Sequence, residues 1–371
     1  MPMTVGAETD FLSLTLSELE QELASLKLPK FRAKQIFEWL HVKRVVSFGE
    51  MTNLPEKLRE ELSLKYALKS LKVLQKRVSK RGDTVKYLYE LSDGQAIETV
   101  FMQFKDRNSL CISSQVGCRM GCTFCASGVG GLVRNLAPSE MLLQVYETLR
   151  LNQLSTVNCP LSTVNIVIMG IGEPLDNFDN VLRFLELSPI GARHISLSTC
   201  GIVPQIDKLA EHKLGITLSV SLHAACDEDR SAIMPINRAY PLSELMRACR
   251  DYFEATRRRI SFEYALIEGV NDSSEQAGRL AGLLRGELPP HAFHVNLIPV
   301  NDTGAGFRKS VNGKAFAEML ESRKINATIR RTMGDDINAA CGQLRKEVRS
   351  QASRALSGCA EVKPLQWLDR S

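Results

Sequence analysis

Leu110-Cys111-Ile112-Ser113-Ser114-Gln115-Val116-Gly117-Cys118-Arg119-Met120-Gly121-Cys122-Thr123-Phe124-Cys125 decides how the chain is read. A short apolar run with strand character, Leu110 to Ser113, leads straight into a loop with C-x3-C-x2-C spacing. Three soft thiolates on one loop suit an iron-sulfur cluster or zinc. Zinc needs a fourth ligand, and no nearby second CxxC or HxxxH supplies one. Three ligands instead leave a cubane with one open iron, where a substrate or cofactor can chelate.

Downstream of this strand the chain alternates. Strand-like runs at Val164–Met169, His194–Ser198, Ile216–Ser221, Ile260–Leu266, His294–Ile298 and Ala327–Arg331 are separated by helical stretches at Pro138–Leu151, Val181–Leu187, Val203–His212, Leu242–Ala255, Ser274–Leu284 and Gly313–Ser322. Regular strand-then-helix order implies parallel strands with helical crossovers. The span 109–345 is near the roughly 250 residues of a (β/α) barrel. The expected fold class is α/β: a partial (β/α)6 barrel with a small N-terminal helical domain and a β-hairpin extension. Residues 1–66 carry the helices. Ser17 with Glu20 is expected to form a capping box before Leu19, Leu23 and Leu26; Ala33, Ile36, Phe37 and Leu40 mark a second helix; Pro55 opens a third. Lys30, Arg32, Lys34, Lys43 and Arg44 give the second helix a basic face that could meet phosphates. Residues 67–108 form the β extension, in which Tyr87–Leu91 and Ile97–Met102 flank the Asp93-Gly94 turn. A basic tail, 346–371, closes the sequence.

Composition agrees with a large globular chain. Of 371 residues, 44% are hydrophobic and 24% charged, which excludes wholesale disorder. Lys plus Arg number 47 against 42 Asp plus Glu, a net +5 too small to identify a nucleic-acid binder by itself. No apolar run reaches membrane-spanning length, and the N-terminus has neither a basic n-region nor an apolar h-region, so a cytoplasmic protein is expected. In that reducing compartment ten cysteines point to metal or thiol chemistry rather than a disulfide framework.

The other strand ends carry polar or glycine-rich sequences, which is where barrel enzymes keep their chemistry. Gly170-Ile171-Gly172-Glu173-Pro174 follows the second strand; glycines let a backbone approach a ligand, and Glu173 can pair with an ammonium. Ser198-Thr199-Cys200-Gly201, Ser221-Leu222-His223-Ala224 and Asn301 end later strands; they read as ligands to ribose, carboxylate and adenine, or as ordinary helix caps. Cys341 sits in Arg330-Arg331-Thr332-Met333-Gly334-Asp335-Asp336-Ile337-Asn338-Ala339-Ala340-Cys341-Gly342.

The cysteine spacing and the Gly172-Glu173-Pro174 run resemble those of radical S-adenosylmethionine enzymes. With Met234-Pro235-Ile236-Asn237-Arg238, Phe262-Glu263-Tyr264 and the Cys341 segment, the sequence resembles the RlmN/Cfr family of radical SAM RNA methyltransferases over roughly residues 15 to 350. The resemblance implies one 4Fe-4S cluster on Cys118, Cys122 and Cys125. It implies S-adenosyl-L-methionine, two per turnover, held by Gly172, Glu173, Ser198, Ser221, Leu222, His223 and Asn301. It implies methylation of a carbon of adenine, which has no lone pair and so requires a radical route. In that route Cys341 carries a methyl group, Cys111 resolves the protein–RNA adduct by forming a disulfide with Cys341, and Glu98 is the general base. The implied partners are 23S rRNA and tRNA, with an electron donor such as flavodoxin or ferredoxin and no membrane; a monomer is expected. Methylation at C2 is the expected outcome, with a Cfr-type C8 enzyme or a non-catalytic zinc-stabilised RNA-binding protein as alternatives. Arg257-Arg258-Arg259, Arg330-Arg331 and residues 76–81 are candidates for a phosphate-binding rim. Ile171, Met333 and Asp302 depart from commoner forms of the family's motifs.

Overall fold

A computed structural model describes residues 9–152, 163–300, 306–337, 339 and 342–344. Asn301, Cys341, Cys159, Cys359 and the tail 346–371 lie outside the described residues.

Three helices open the chain: α1 (Leu16–Ala24), α2 (Lys30–Glu38) and α3 (Glu56–Lys65). The capping box at α1 is Thr15 with Glu18, not Ser17 with Glu20: the Glu18 carboxylate accepts from the Thr15 N–H at 2.8 Å, and the Glu18 N–H donates to the Thr15 hydroxyl at 3.3 Å. Helix start is therefore two residues earlier than the expected cap, which leaves Ser17 inside the first turn. Leu19, Leu23, Ala33, Ile36 and Leu40 are buried as the 3.6-residue period requires. They join one apolar core that runs from Phe11 to Ala327.

That core backs a ten-stranded sheet in the order β1-β2-β3-β4-β7-β8-β9-β10-β11-β12. Its strands are β1 (Lys72–Val78), β2 (Thr84–Glu90), β3 (Ala96–Gln103), β4 (Asn108–Cys111), β7 (Val164–Ile168), β8 (Ile195–Thr199), β9 (Thr217–Ser221), β10 (Ile260–Leu266), β11 (Phe293–Pro299) and β12 (Ala327–Ile329). From β4 to β12 every pairing is parallel; β1 to β4 pair antiparallel. The expected hairpin is thus a three-stranded extension that continues the barrel sheet, because β3 bonds directly to β4. Crossover helices α4 (Pro138–Leu151), α5 (Phe178–Leu187), α6 (Val203–Glu211), α8 (Leu242–Thr256), α9 (Ser274–Glu287) and α10 (Gly313–Ser322) match the expected stretches, while a short α7 (Asp227–Ile233) was not evident in the pattern. Only three residues long, β12 ends an open sheet whose order never returns to β1.

Alternation along the strands divides the sheet into two faces. Leu110, Ile166, Leu197, Leu218, Phe262 and Val295 face the helices and are fully buried. The opposite face is polar. Ser198, Ser219, Ser261 and His294 form one lateral row, and Ser221, Glu263, Asn296 and Thr328 the next. A barrel interior lined this way is not a packed apolar core; its groups are arranged to meet a polar ligand.

Candidate functional site

The cysteine loop is tied to the barrel at both ends. Between β5 (Gln115–Gly117) and β6 (Leu132–Asn135), an antiparallel pair absent from the expected fold, the chain runs out and back through Cys118 to Gly131. Gly117 makes this possible: φ is +86°, and a Cβ there would stand 2.0 Å from the Gly131 carbonyl oxygen. The Cys118 N–H donates to that same oxygen at 3.2 Å, and the Thr123 N–H donates to the Ile233 carbonyl at 3.0 Å. Met120, Cys122 and Phe124 pack on Cys200, Ile233 and Met234, so the Met234–Arg238 motif supports the loop.

Burial pushes the Cys118 and Cys122 thiols up to about 12, reinforced by the charges of Glu173 and Cys125 on both and of Cys118 on Cys122. Thiols so placed ionise only opposite a strong positive charge, as a metal centre provides. Among the described residues no three His, Cys, Asp or Glu side chains are grouped to hold a single metal ion.

Glu173 lies buried beside this loop. Its Oε2 accepts from the Cys200 N–H at 2.7 Å, its Oε1 accepts from the Leu175 N–H at 3.0 Å, and its own N–H donates to the Gln115 side chain at 2.8 Å. Burial raises its pKa against these bonds, so a nearby ammonium would restore full ionisation. The glycines before it make room for protein rather than open space. A Cβ on Gly170 would stand 2.6 Å from the Ile112 carbonyl oxygen, and one on Gly172 (φ +112°) 2.6 Å from the Gln115 Cβ. They let the loop after β7 pack flat on the segment joining β4 to the cysteines.

Ser198 is buried on the polar face of β8, and Ser221 stands half-buried at the end of β9. Leu222 is fully enclosed and donates its N–H to the Glu263 carbonyl at 3.0 Å. His223 turns through φ +58°; its Nδ1 accepts from the Ala265 N–H at 2.9 Å, and its ring meets Phe124 edge-on at 4.9 Å. Burial, with Arg230 nearby, drives its pKa down to about 3, so it is a neutral acceptor fastening β9 to β10.

Several groups here had no readable signal in the sequence. Arg230, with no exposed surface, donates to the carbonyls of Cys200 (2.7 Å), Ser221 (3.0 Å) and Leu222 (3.1 Å) and to the Asn237 side chain (2.9 Å), clamping the ends of β8 and β9. Cys200 is a small buried residue that packs against Cys122. Glu263, quoted only as part of a motif, accepts from Ser261 and Asn296 through Oε1 while its buried Oε2 has no partner among the described residues.

The second part of the site spans the junction of the extension and the barrel. Glu98 on β3 is 3% exposed; Lys86 on β2 approaches its Oε2 at 2.9 Å, and the Gly342 N–H donates to the same oxygen at 2.7 Å. Cys111 pairs with Val100, two residues along β3 from Glu98 and on the same face, and packs near Met333 and Ala339. Gly342 (φ +77°) fits because it has no side chain: a Cβ would stand 2.7 Å from the Ser127 backbone nitrogen. The backbone immediately after Cys341 is therefore wedged between Glu98 and the residues that follow Cys125.

The basic candidates separate. Arg330 and Arg331 follow β12 at the site end of the barrel, whereas Arg257 to Arg259 precede β10, at the opposite end, and cannot belong to a rim around the site. Lys76 and Arg77 lie on the edge strand β1. On α2 and its continuation, Lys30 pairs with Glu20, Lys43 covers the Trp39 ring, and Arg44, at φ +59°, turns toward Tyr146 rather than outward.

Comparison with known proteins gives a consistent picture. Residues 112–281 match the Radical SAM superfamily, and residues 9–68 match the ribosomal RNA large subunit methyltransferase N-terminal domain. A probable dual-specificity RNA methyltransferase RlmN from Lachnoclostridium phytofermentans is 49% identical over 352 residues, covering 92% of this chain and 96% of that one. A protein of the same description from Geobacillus thermodenitrificans is 47% identical over 351 residues, covering 92% and 94%. The crystal structure of a radical SAM methyltransferase from Sphaerobacter thermophilus superimposes with a TM-score of 0.84 at 44% identity, covering 90% of this chain and 98% of that one.

Proposed function

Because the chain belongs to the RlmN family of radical SAM RNA methyltransferases, we propose that it methylates C2 of an adenosine in 23S rRNA and of the adenosine beside the tRNA anticodon, through a methylated Cys341. The observation that carries this reading is the position of Gly342, bonded to Glu98 and seated on Ala126 and Ser127 with Cys111 on the neighbouring strand.

Cys118, Cys122 and Cys125 would hold the 4Fe-4S cluster. Gly172, Glu173, Ser198, Ser221, Leu222, His223 and Asn301 would surround S-adenosylmethionine. Of these Glu173 would face its ammonium, while Leu222 and His223, both turned to protein partners, would shape the pocket through their backbone. When bound, cluster and S-adenosylmethionine supply one-electron chemistry at an otherwise inert C–H bond. The chain's own residues do the rest. Cys341 would carry the methyl group to the base as a methylene bridge, and Glu98 would accept the proton displaced from the base carbon. The Cys111 thiolate would then attack the Cys341 sulfur, forming the S–S bond as the sulfur–methylene bond breaks. The electron pair of that bond would go to the methylene carbon, which takes up a proton as the methyl group, and the adduct's unpaired electron would pass back to the bound cluster. Residues 1–66 would grip the RNA and orient an extruded base, since an adenine in a stack cannot enter a barrel. A flavodoxin or ferredoxin would supply the electrons.

The test uses protein reconstituted anaerobically and incubated with 23S rRNA or tRNA, followed by nucleoside chromatography and peptide mass analysis. 2-Methyladenosine and a methyl group on Cys341 are expected; Cys111→Ala should trap protein covalently on RNA. Full iron content in Cys122→Ala would overturn the cluster assignment, stoichiometric zinc would favour the non-catalytic reading, and 8-methyladenosine would move the protein to the Cfr-type reaction.

A further inference from the structure

Lys86 is the one lysine among the largest fully buried side chains of the described residues. Its neighbours along β2, Val85, Tyr87, Leu88 and Tyr89, are buried as well. Register puts it directly across from Val100, which lies across from Cys111, itself across from Val167; Glu98 is the diagonal neighbour of Lys86 on the same face. The ammonium and the carboxylate meet at 2.9 Å with 0% and 3% of their side chains exposed.

Stability does not explain this pair. Two charges withdrawn from water lose most of what their attraction returns, and a packed apolar pair of the same volume is usually as stable or more so. A positional requirement does explain it. The Lys86 ammonium and the Gly342 N–H converge on the same Glu98 oxygen, at 2.9 Å and 2.7 Å. Charge-assisted bonds of this kind fix direction as well as distance, so the ammonium holds the carboxylate where it meets the backbone next to Cys341.

We propose that Lys86 is a positioning residue for the methyl transfer: its ammonium holds the Glu98 carboxylate directed at the backbone that follows Cys341, so that Glu98 can accept a proton when the RNA adduct is resolved. The inference rests on the reading of Glu98 as the base. Lys86 touches neither RNA nor cofactor in this scheme; the proton moves from the reacting centre to the Glu98 carboxylate, and the ammonium keeps its own protons throughout.

The experiment is a double-mutant cycle of Lys86→Met, Glu98→Gln and the pair together, each reconstituted with iron and sulfide. Lys86→Met should lower the single-turnover rate of RNA methylation about a hundredfold, the scale of a lost general base. Its KM for RNA and its iron content should stay within about twofold of the parent protein. If Lys86 acts through Glu98, the double variant is no slower than Glu98→Gln by more than about threefold; a merely structural lysine would add its own defect. Infrared difference spectra supply a readout independent of turnover: Lys86→Met should show a displaced carboxylate band, from a Glu98 that has lost its ammonium contact, that the parent and the double variant lack. Absence of that band, or additive losses, overturns the proposal. If Glu98→Gln runs at the parent rate, the base reading itself fails. If Glu98→Gln is impaired while Lys86→Met is not, only the role of Lys86 fails. Should Lys86→Met not fold, Lys86→Gln, which donates without charge, must show the same band and the same non-additivity.

Discussion

Replacing Gly342 by Ala tests whether the Cys341 segment is docked as described. The substitution adds one carbon in a place with no room. It would stand 2.7 Å from the Ser127 nitrogen and 2.8 Å from the Ala126 carbonyl carbon, both backbone atoms that cannot rotate aside. The residue also sits at φ +77°, where an L side chain is strained by about 1–2 kcal/mol. Relief requires the segment to lift, which breaks the 2.7 Å bond from the Gly342 N–H to the Glu98 carboxylate. Keeping the segment docked instead adds about 1–3 kcal/mol of overpacking to the strain, so the docked arrangement is disfavoured by about 2–5 kcal/mol, centred on roughly two to three powers of ten in its population, at about 1.4 kcal/mol per factor of ten. Gly342 is not part of the apolar core, so iron content and thermal midpoint should stay at parent levels. Single-turnover RNA methylation, and the fraction of Cys341 found methylated by peptide mass analysis, should both fall by about a hundredfold or more. A Gly342→Ala protein with methylated Cys341 and turnover within about threefold of the parent would show that the wedge between Glu98 and Ser127 has no part in the reaction.

Arg230→Met removes the clamp under the cysteine loop and leaves the carbonyls of Cys200, Ser221 and Leu222 without their donor, at about 1–3 kcal/mol each; calorimetry should show a midpoint at least about 5 °C lower together with reduced iron loading, and an unchanged midpoint would refute the clamp. His41 and His223 are held neutral by burial, with pKa values down to about 4 and about 3. The unfolded chain therefore binds protons below about pH 6.5 that the folded chain refuses. Stability is complete above that pH and declines as pH falls toward the folded values; denaturant titrations at pH 7 and 5 should show the decline, and His41→Gln should reduce it, whereas an unchanged slope would mean that His41 is accessible to protons when folded.

The strand and helix periods, the cysteine spacing and the Gly172-Glu173-Pro174 run were legible in the sequence because each is a local pattern with a local cause. Strand ends could be placed within about two residues: Leu110–Ser113 was the expected first barrel strand, and Asn108–Cys111 is the observed one. What escaped depends on contacts distant in sequence. Nothing near Arg230 reveals that its guanidinium reaches two other strand ends, and nothing near Gly342 reveals that its N–H belongs to Glu98, 244 positions away. The capping box was misplaced for a different reason. In Thr15-Leu16-Ser17-Glu18-Leu19-Glu20 both Thr15 with Glu18 and Ser17 with Glu20 have the three-residue spacing of a capping box, so spacing alone could not choose between them; the helix starts at Leu16, which makes Thr15 the cap and leaves Ser17 inside the first turn. The short β5–β6 pair was hidden because its residues bracket the cysteine loop and carry no alternation long enough to count.

The β extension is where local reading and three-dimensional result differ most in consequence. As a separate hairpin it would be an accessory, and Glu98 an ordinary strand residue. As a continuation of the barrel sheet it becomes a wall of the site: β3 bonds to β4 along Val100–Cys111, and this sets Glu98 and Lys86 on the same face of the sheet as Cys111. The Ser113 hydroxyl also donates to the Glu98 carbonyl at 2.7 Å and accepts from the Ile171 N–H at 3.1 Å, joining the β3 backbone to the loop that ends in Glu173. The parallel barrel alone, residues 109–345, would carry the three cluster cysteines and Glu173 but neither the carboxylate nor the lysine. In this architecture the radical half of the proposed reaction belongs to the barrel, and its proton-transfer half belongs to the seam where antiparallel pairing gives way to parallel.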